Sequence, residues 1–102
     1  MVTLRPKAGA ESEMAQVVFR HWETARRLDL VLPKSRLSMR ALEEAGKPYF
    51  VEVFAWRDAR IPDAAPKAIL DIWSDMHRLS EARGGRPGLE IVELIETRTA
   101  AK

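Results

Sequence analysis

At 102 residues, 46% of them hydrophobic and 31% charged, the chain has the make-up of one folded domain with a single modest core and not that of a disordered polymer. Its 17 basic and 15 acidic side chains are interspersed and leave a formal charge of only +2; no stretch interleaves Lys or Arg with aromatics, so nucleic acid is not an expected partner. The absence of cysteine excludes disulfides, thiolate metal sites and a cysteine nucleophile.

No apolar run approaches the roughly 20 residues that span a bilayer. The opening "MVTLRPKAGAESE" also lacks the continuous apolar core of a secretory signal. No membrane association and a cytoplasmic location are therefore expected. There is no internal repeat or linker, and residues 1–102 read as one domain.

"VTLR", residues 2–5, alternates briefly and then meets Pro6 and Gly9, which predicts a short strand ended by a turn. From Glu11 to about Leu28 the spacing becomes helical, with Met14, Val18, Ala25 and Leu28 on one stripe and Glu13, Gln16, Arg20, Glu23 and Arg27 opposite. Acidic residues at its start and Arg26 and Arg27 at its end suit the helix dipole. "RLSMRAL" then alternates, and Ala45 to Pro48 turn the chain into "FVEVFAWRD", residues 50–58, making a hairpin. "RIPDAAP" connects to a second helix from Pro66 to about Arg83, in which Ile69, Ile72, Trp73, Met76 and Leu79 share a face. Pro66 fits its first turn and Gly84 and Gly85 are expected to stop it. "LEIVELIE", residues 89–96, is the last predicted strand.

Strand, helix, strand, strand, helix, strand is an α+β arrangement, with both helices on one face of a four-stranded antiparallel sheet. In the strand at 50–58, Phe50, Phe54 and Trp56 face one way and Val51, Val53 and Ala55 the other. In the last strand Leu89, Ile91 and Ile95 alternate with Val92 and Leu94. Both faces are apolar, whereas an antiparallel sheet with one wet face alternates more cleanly. A second copy of the chain, packed sheet against sheet about a twofold axis, is the expected cover.

The order of elements, the "RPKAG" turn, "YFVEVFAWRD", "ILDIWSDMHRL" and the closing "LEIVELIE" resemble the antibiotic biosynthesis monooxygenase superfamily over nearly the whole chain. The resemblance implies a ferredoxin-like βαββαβ chain paired as a dimeric α+β barrel. Activities within that superfamily include cofactor-free oxygenation of polyketide or quinol substrates, haem degradation and isomerisation. Its best-studied oxygenases and its haem degraders place an asparagine at the active site, and this chain has none. Neither residue pattern carries over. Nor does "PDAAPKA" supply the histidine that several relatives carry at the start of the second helix.

His21 falls in the middle of the first helix's apolar stripe, as a candidate base or as a buried histidine bonded to its neighbours. Glu52 sits among Phe50, Phe54 and Trp56, and Glu93 between Ile91 and Ile95. A carboxylate in apolar company is either a candidate proton acceptor or one half of an ion pair, for which Arg36 and Arg40 are available. Trp22, Trp56, Trp73 and Tyr49 suit a flat aromatic ligand or simple packing. His77 lies one turn beyond Trp73 at the margin of its helix, and it and Arg40 complete the expected ligand contacts.

"EARGGRPG" follows a helix instead of leading into one, so it does not read as a phosphate loop. With two histidines and no Gly-rich cofactor motif, no flavin, nicotinamide, haem or metal is expected. Two functions stand. One is a cofactor-free monooxygenase or related isomerase acting on a small aromatic or quinone-like molecule; the other is a non-catalytic dimeric module that binds a small ligand or serves as scaffold. A roomy helix-sheet cavity reached by His21 would favour the enzyme, and a tightly filled one the module.

Overall fold

The computed structural model describes residues 1–94. Strand β1 (Val2–Leu4) ends in a turn closed by Ala10 N–H donating to the Lys7 carbonyl at 2.9 Å, with Gly9 at φ 81°, where an L side chain would be strained. Helix α1 (Glu11–Arg27) follows, with Glu11 and Glu13 in its first turn and Arg26 and Arg27 in its last. It closes in a Schellman motif: Leu30 N–H reaches the Ala25 carbonyl at 2.9 Å, Asp29 N–H reaches Arg26 at 3.0 Å, and Asp29 takes the left-handed φ of 60°. Strands β2 (Leu37–Leu42) and β3 (Pro48–Val53) form the expected hairpin. Helix α2 (Lys67–Leu79) and strand β4 (Leu89–Ile91) complete the order.

The sheet is wholly antiparallel in the order β2-β3-β1-β4, consistent with a ferredoxin-like fold. Val2, Leu4 and Phe50 face Met14, Val17 and Val18 of α1 and Ile72, Met76 and Leu79 of α2, so both helices pack on one side. Leu4, Met14 and Ile69 are fully buried, and each such side chain contributes ~1.5–3 kcal/mol. The described residues include no helix long and apolar enough to cross a membrane.

Three boundaries differ from expectation. The helix predicted to reach Arg83 stops at Leu79, because the next residues are drawn into backbone pairing with the end of β1: Lys7 N–H donates to Leu79 at 2.7 Å and Glu81 N–H to Arg5 at 2.9 Å. The Ser80 hydroxyl takes the freed Met76 carbonyl at 2.6 Å. Gly84 and Gly85, at φ 55° and 80°, instead make a two-residue turn closed by reciprocal bonds between Arg83 and Arg86. The strand predicted over 50–58 leaves the sheet after Val53, and Ala55 to Arg57 pair with residues 30–32 behind α1. The last strand is described only over Leu89–Ile91, with Val92 N–H still bonded to Met1; Ile95 and Glu96 lie outside the described residues.

The alternation in β3 falls as expected, and it is the face of Phe50 and Glu52 that lies buried under the helices, with Val51 and Val53 half-buried opposite. That opposite face is not uniformly apolar. Leu37 and Met39 are half exposed at one end, but at the other Arg5 is buried beneath the segments around Glu43 and 81–90.

Candidate functional site

His21 reaches the core because positions 14, 17, 18, 21 and 25 share one face of α1, all buried. Glu52 reaches the same place from β3, whose period of two turns it to the helix side, in register with Val2 and Ser38. His21 Nδ1 lies 3.2 Å from Glu52 Oε1, and Trp73 Nε1–H donates to His21 Nε2 at 3.0 Å. An indole N–H only donates. Nε2 is therefore the acceptor, the ring proton sits on Nδ1, and that proton is donated to Glu52. In this arrangement both ring nitrogens are engaged, Nε2 by Trp73 and Nδ1 by Glu52, and His21 holds the carboxylate in place.

Aromatic rings enclose the pair. Phe54 and Trp56 meet the imidazole edge-on with centroids at 5.5 and 6.4 Å, and Trp56 meets Trp73 edge-on at 6.1 Å. Trp22 is buried alongside and carries the Arg36 guanidinium over its ring at 5.5 Å. His21 thus lies in filled aromatic packing, 2% exposed.

Glu52 is different. It is fully buried, yet only one of its oxygens is bonded. Arg36 Nε stands 3.8 Å from Oε2, too far for a hydrogen bond, and both atoms are buried without a partner among the described residues. A buried carboxylate oxygen without a donor is rare enough to need an explanation. Arg36 also borders an open groove of about 260 Å3 between α1 and β2, with Val18, Phe19 and Phe50 as apolar walls and Ser38 and Arg40 on the β2 side.

Of the sequence candidates, Trp22, Trp56 and Trp73 gather around His21 and Glu52, and Trp73 proves to be the histidine's donor. Of the two arginines available to Glu52, only Arg36 approaches it; Arg40 bonds to Glu11 on α1. That bond holds the Glu11 carboxyl below its ordinary value and raises the Arg40 guanidinium. Tyr49 lies on the opposite sheet face against Arg5, 5.9 Å from its guanidinium. His77 is exposed on α2, and Glu93 is exposed beyond β4. These three do not join the group.

Sequence reasoning missed the second buried charge cluster. Arg5, 1% exposed, bonds through Nε to both Glu43 oxygens at 3.1 Å and through Nη1 to Pro87 O at 2.8 Å and Glu90 at 2.6 Å. Arg83 adds bonds to Glu43, Pro48 O and Pro6 O. The available signal was an arginine directly after an alternating strand, on the face away from the helices. Among the described residues no group of three or more His, Asp or Glu is placed to hold a metal ion. Compared with protein-family models, curated proteins and solved structures, the chain matches none.

Proposed function

We propose that the chain forms one half of a dimeric α+β barrel and acts without a cofactor as a monooxygenase, or a related isomerase, on a small aromatic or quinone-like molecule, with Glu52 as proton acceptor. The observation that carries this reading is a fully buried carboxylate with Oε1 held by His21 and Oε2, among the described residues, left unbonded beside a guanidinium. A base needs this combination of fixed orientation and a free lone pair. Glu52 takes the hydroxyl proton of an enol or quinol. The electron-rich ring carbon, still bearing its hydrogen, then gives its electron pair to dioxygen. Return of the proton yields a hydroperoxide, and loss of water leaves a carbonyl.

Resemblance to the antibiotic biosynthesis monooxygenase superfamily in the order of elements supports the same class. Pairing through the sheet face away from the helices is supported by Leu37 and Met39, half exposed beside Val51 and Val53. Sedimentation at micromolar concentration is expected to give a dimer, and a stable monomer would end the barrel reading.

Glu52→Gln keeps an acceptor for His21 and removes the base. Turnover of quinol or anthrone-like substrates, followed by oxygen uptake, is expected to fall roughly 100-fold or more; unchanged uptake removes Glu52 from the mechanism. A second reading, a non-catalytic ligand-binding module, is favoured by the filled packing around His21 and the occupation of both its nitrogens. It predicts ligand binding with no turnover in the wild type.

A further inference from the structure

The Arg36 guanidinium lies beside Glu52 and also borders solvent. Its side chain is 25% exposed, lines the groove between α1 and β2, and rests on Trp22 by stacking. Its Nε has no hydrogen bond among the described residues. Swinging this one side chain breaks no hydrogen bond at Nε and uncovers Glu52 Oε2 from the groove side. The two orphan atoms differ in kind: Nε–H can only donate, and a carboxylate oxygen can only accept. One chemical group satisfies both at once, a hydroxyl, which accepts from the guanidinium and donates to the carboxylate.

We infer that the gap between Arg36 Nε and Glu52 Oε2 seats the acidic hydroxyl of a phenol or enol, with the ligand's apolar body along Val18, Phe19 and Phe50 and with Arg36 as the movable cover. The inference rests on the proposed function and names its substrate class. On proton transfer the O–H bond breaks, the proton goes to Glu52 Oε2, and the electron pair stays on the ligand oxygen, whose new charge faces the Arg36 guanidinium. The guanidinium, returning over the seated ligand, sets its positive charge beside that oxygen and attracts it. His21 sets the polarity of the site: its Nδ1–H needs an oxygen at position 52, so in Glu52→Gln the amide oxygen stays on His21 and the NH2 turns into the gap. That variant keeps the shape and reverses the hydrogen bond.

The test uses para-tert-butylphenol and its methyl ether, para-tert-butylanisole, titrated into the purified chain and followed by amide chemical shifts. The phenol is expected to shift Val18, Phe19 and Ser38 and to bind roughly tenfold or more tighter than the ether, the scale of a hydrogen bond to a charged group. Glu52→Gln and Arg36→Met are each expected to abolish that preference while leaving ether binding in place. Equal binding of phenol and ether, shifts confined to the open sheet face, or no binding of the phenol at millimolar concentration overturns the inference. Phenol binding with no oxygen uptake from any quinol removes the proposed activity and leaves the site standing. Quinol turnover indifferent to Arg36→Met removes this site and leaves the activity.

Discussion

The two faces of the sheet each bury an arginine-carboxylate cluster, and the two are finished to different degrees. On the face away from the helices, the Arg5 side chain spends its donors on Glu43, Glu90 and the Pro87 carbonyl, its own backbone N–H and C=O join Gly88 and Glu81, and Arg83 ties Glu43 to Pro6 and Pro48. On the helix face, Glu52 has one bond at 3.2 Å and stands 3.8 Å from a guanidinium that does not reach it. Both clusters bear the desolvation cost of buried charge, but only the first recovers it through bonds. A closed network holds three segments of chain together; an open one leaves a lone pair and a donor free for something else.

The largest expected effect lies in the closed cluster. Arg5→Met takes from Glu90 its guanidinium, leaves Glu43 only its bond to Arg83 and removes the anchor of the 87–90 segment, and losing one partner of a buried pair costs ~3–5 kcal/mol. Urea unfolding of the variant measures this. A loss under ~1 kcal/mol would place Arg5 among ordinary surface pairs and erase the contrast between the clusters.

Acid gives the next effect. Burial works to raise the Glu43 carboxyl, but hydrogen bonds and charge from Arg5, then Arg83, outweigh it and hold the group below its ordinary value of 4.5. For Arg5, burial opposes the charge, and the bonds to Glu90 and Glu43 leave it above its ordinary value. A carboxyl whose folded value is depressed contributes stability that is fully present above the unfolded value and is lost as pH falls through the folded one. The unfolding midpoint is therefore expected to be insensitive to Glu43 above neutral carboxylate titration and to drop below pH 4.5. Glu43→Gln should unfold more easily at neutral pH and decline less steeply in acid. Parallel acid slopes for the two proteins would show that the cluster does not report on this carboxyl.

Much of the fold was legible because its signals are periodic. The stripe of α1 turns His21 toward the sheet, and the alternation in β3 puts Glu52 on one face with Phe50, but periodicity does not say which sheet face the helices cover. The pairing of His21 with Glu52 was not legible, since it joins residues 31 positions apart through a register that depends on the whole hairpin. Trp73 reads in the sequence as a ligand contact or as packing; that its indole donates to His21 follows from where α2 crosses α1 and has no sequence signal. The end of α2 was misplaced because Gly84 and Gly85 are equally good helix stops and turn formers; the pairing of Leu79 and Glu81 with the end of β1 ends the helix earlier, and such long-range pairing leaves no periodic trace. Arg5 escaped notice for a related reason, its partners coming from two distant loops.

The smallest expected effect is the one that separates the clusters most sharply. Arg36 resembles Arg5 in facing a glutamate, and by composition alone the two substitutions should cost the same. They differ in what is lost: among the described residues Arg36 Nε has no hydrogen bond to break, its side chain is a quarter open to solvent, and water can follow a shorter side chain into the groove to solvate the uncovered carboxylate. Arg36→Met is accordingly expected to cost only about 1 kcal/mol, the upper end for partly exposed pairs. Methionine keeps enough apolar length to lie on Trp22, so the packing beneath should survive and the urea transition should remain cooperative. If Arg36→Met instead destabilises as much as Arg5→Met, Arg36 is a structural clamp on Glu52, the gap between them closes in solution, and the groove loses its movable cover.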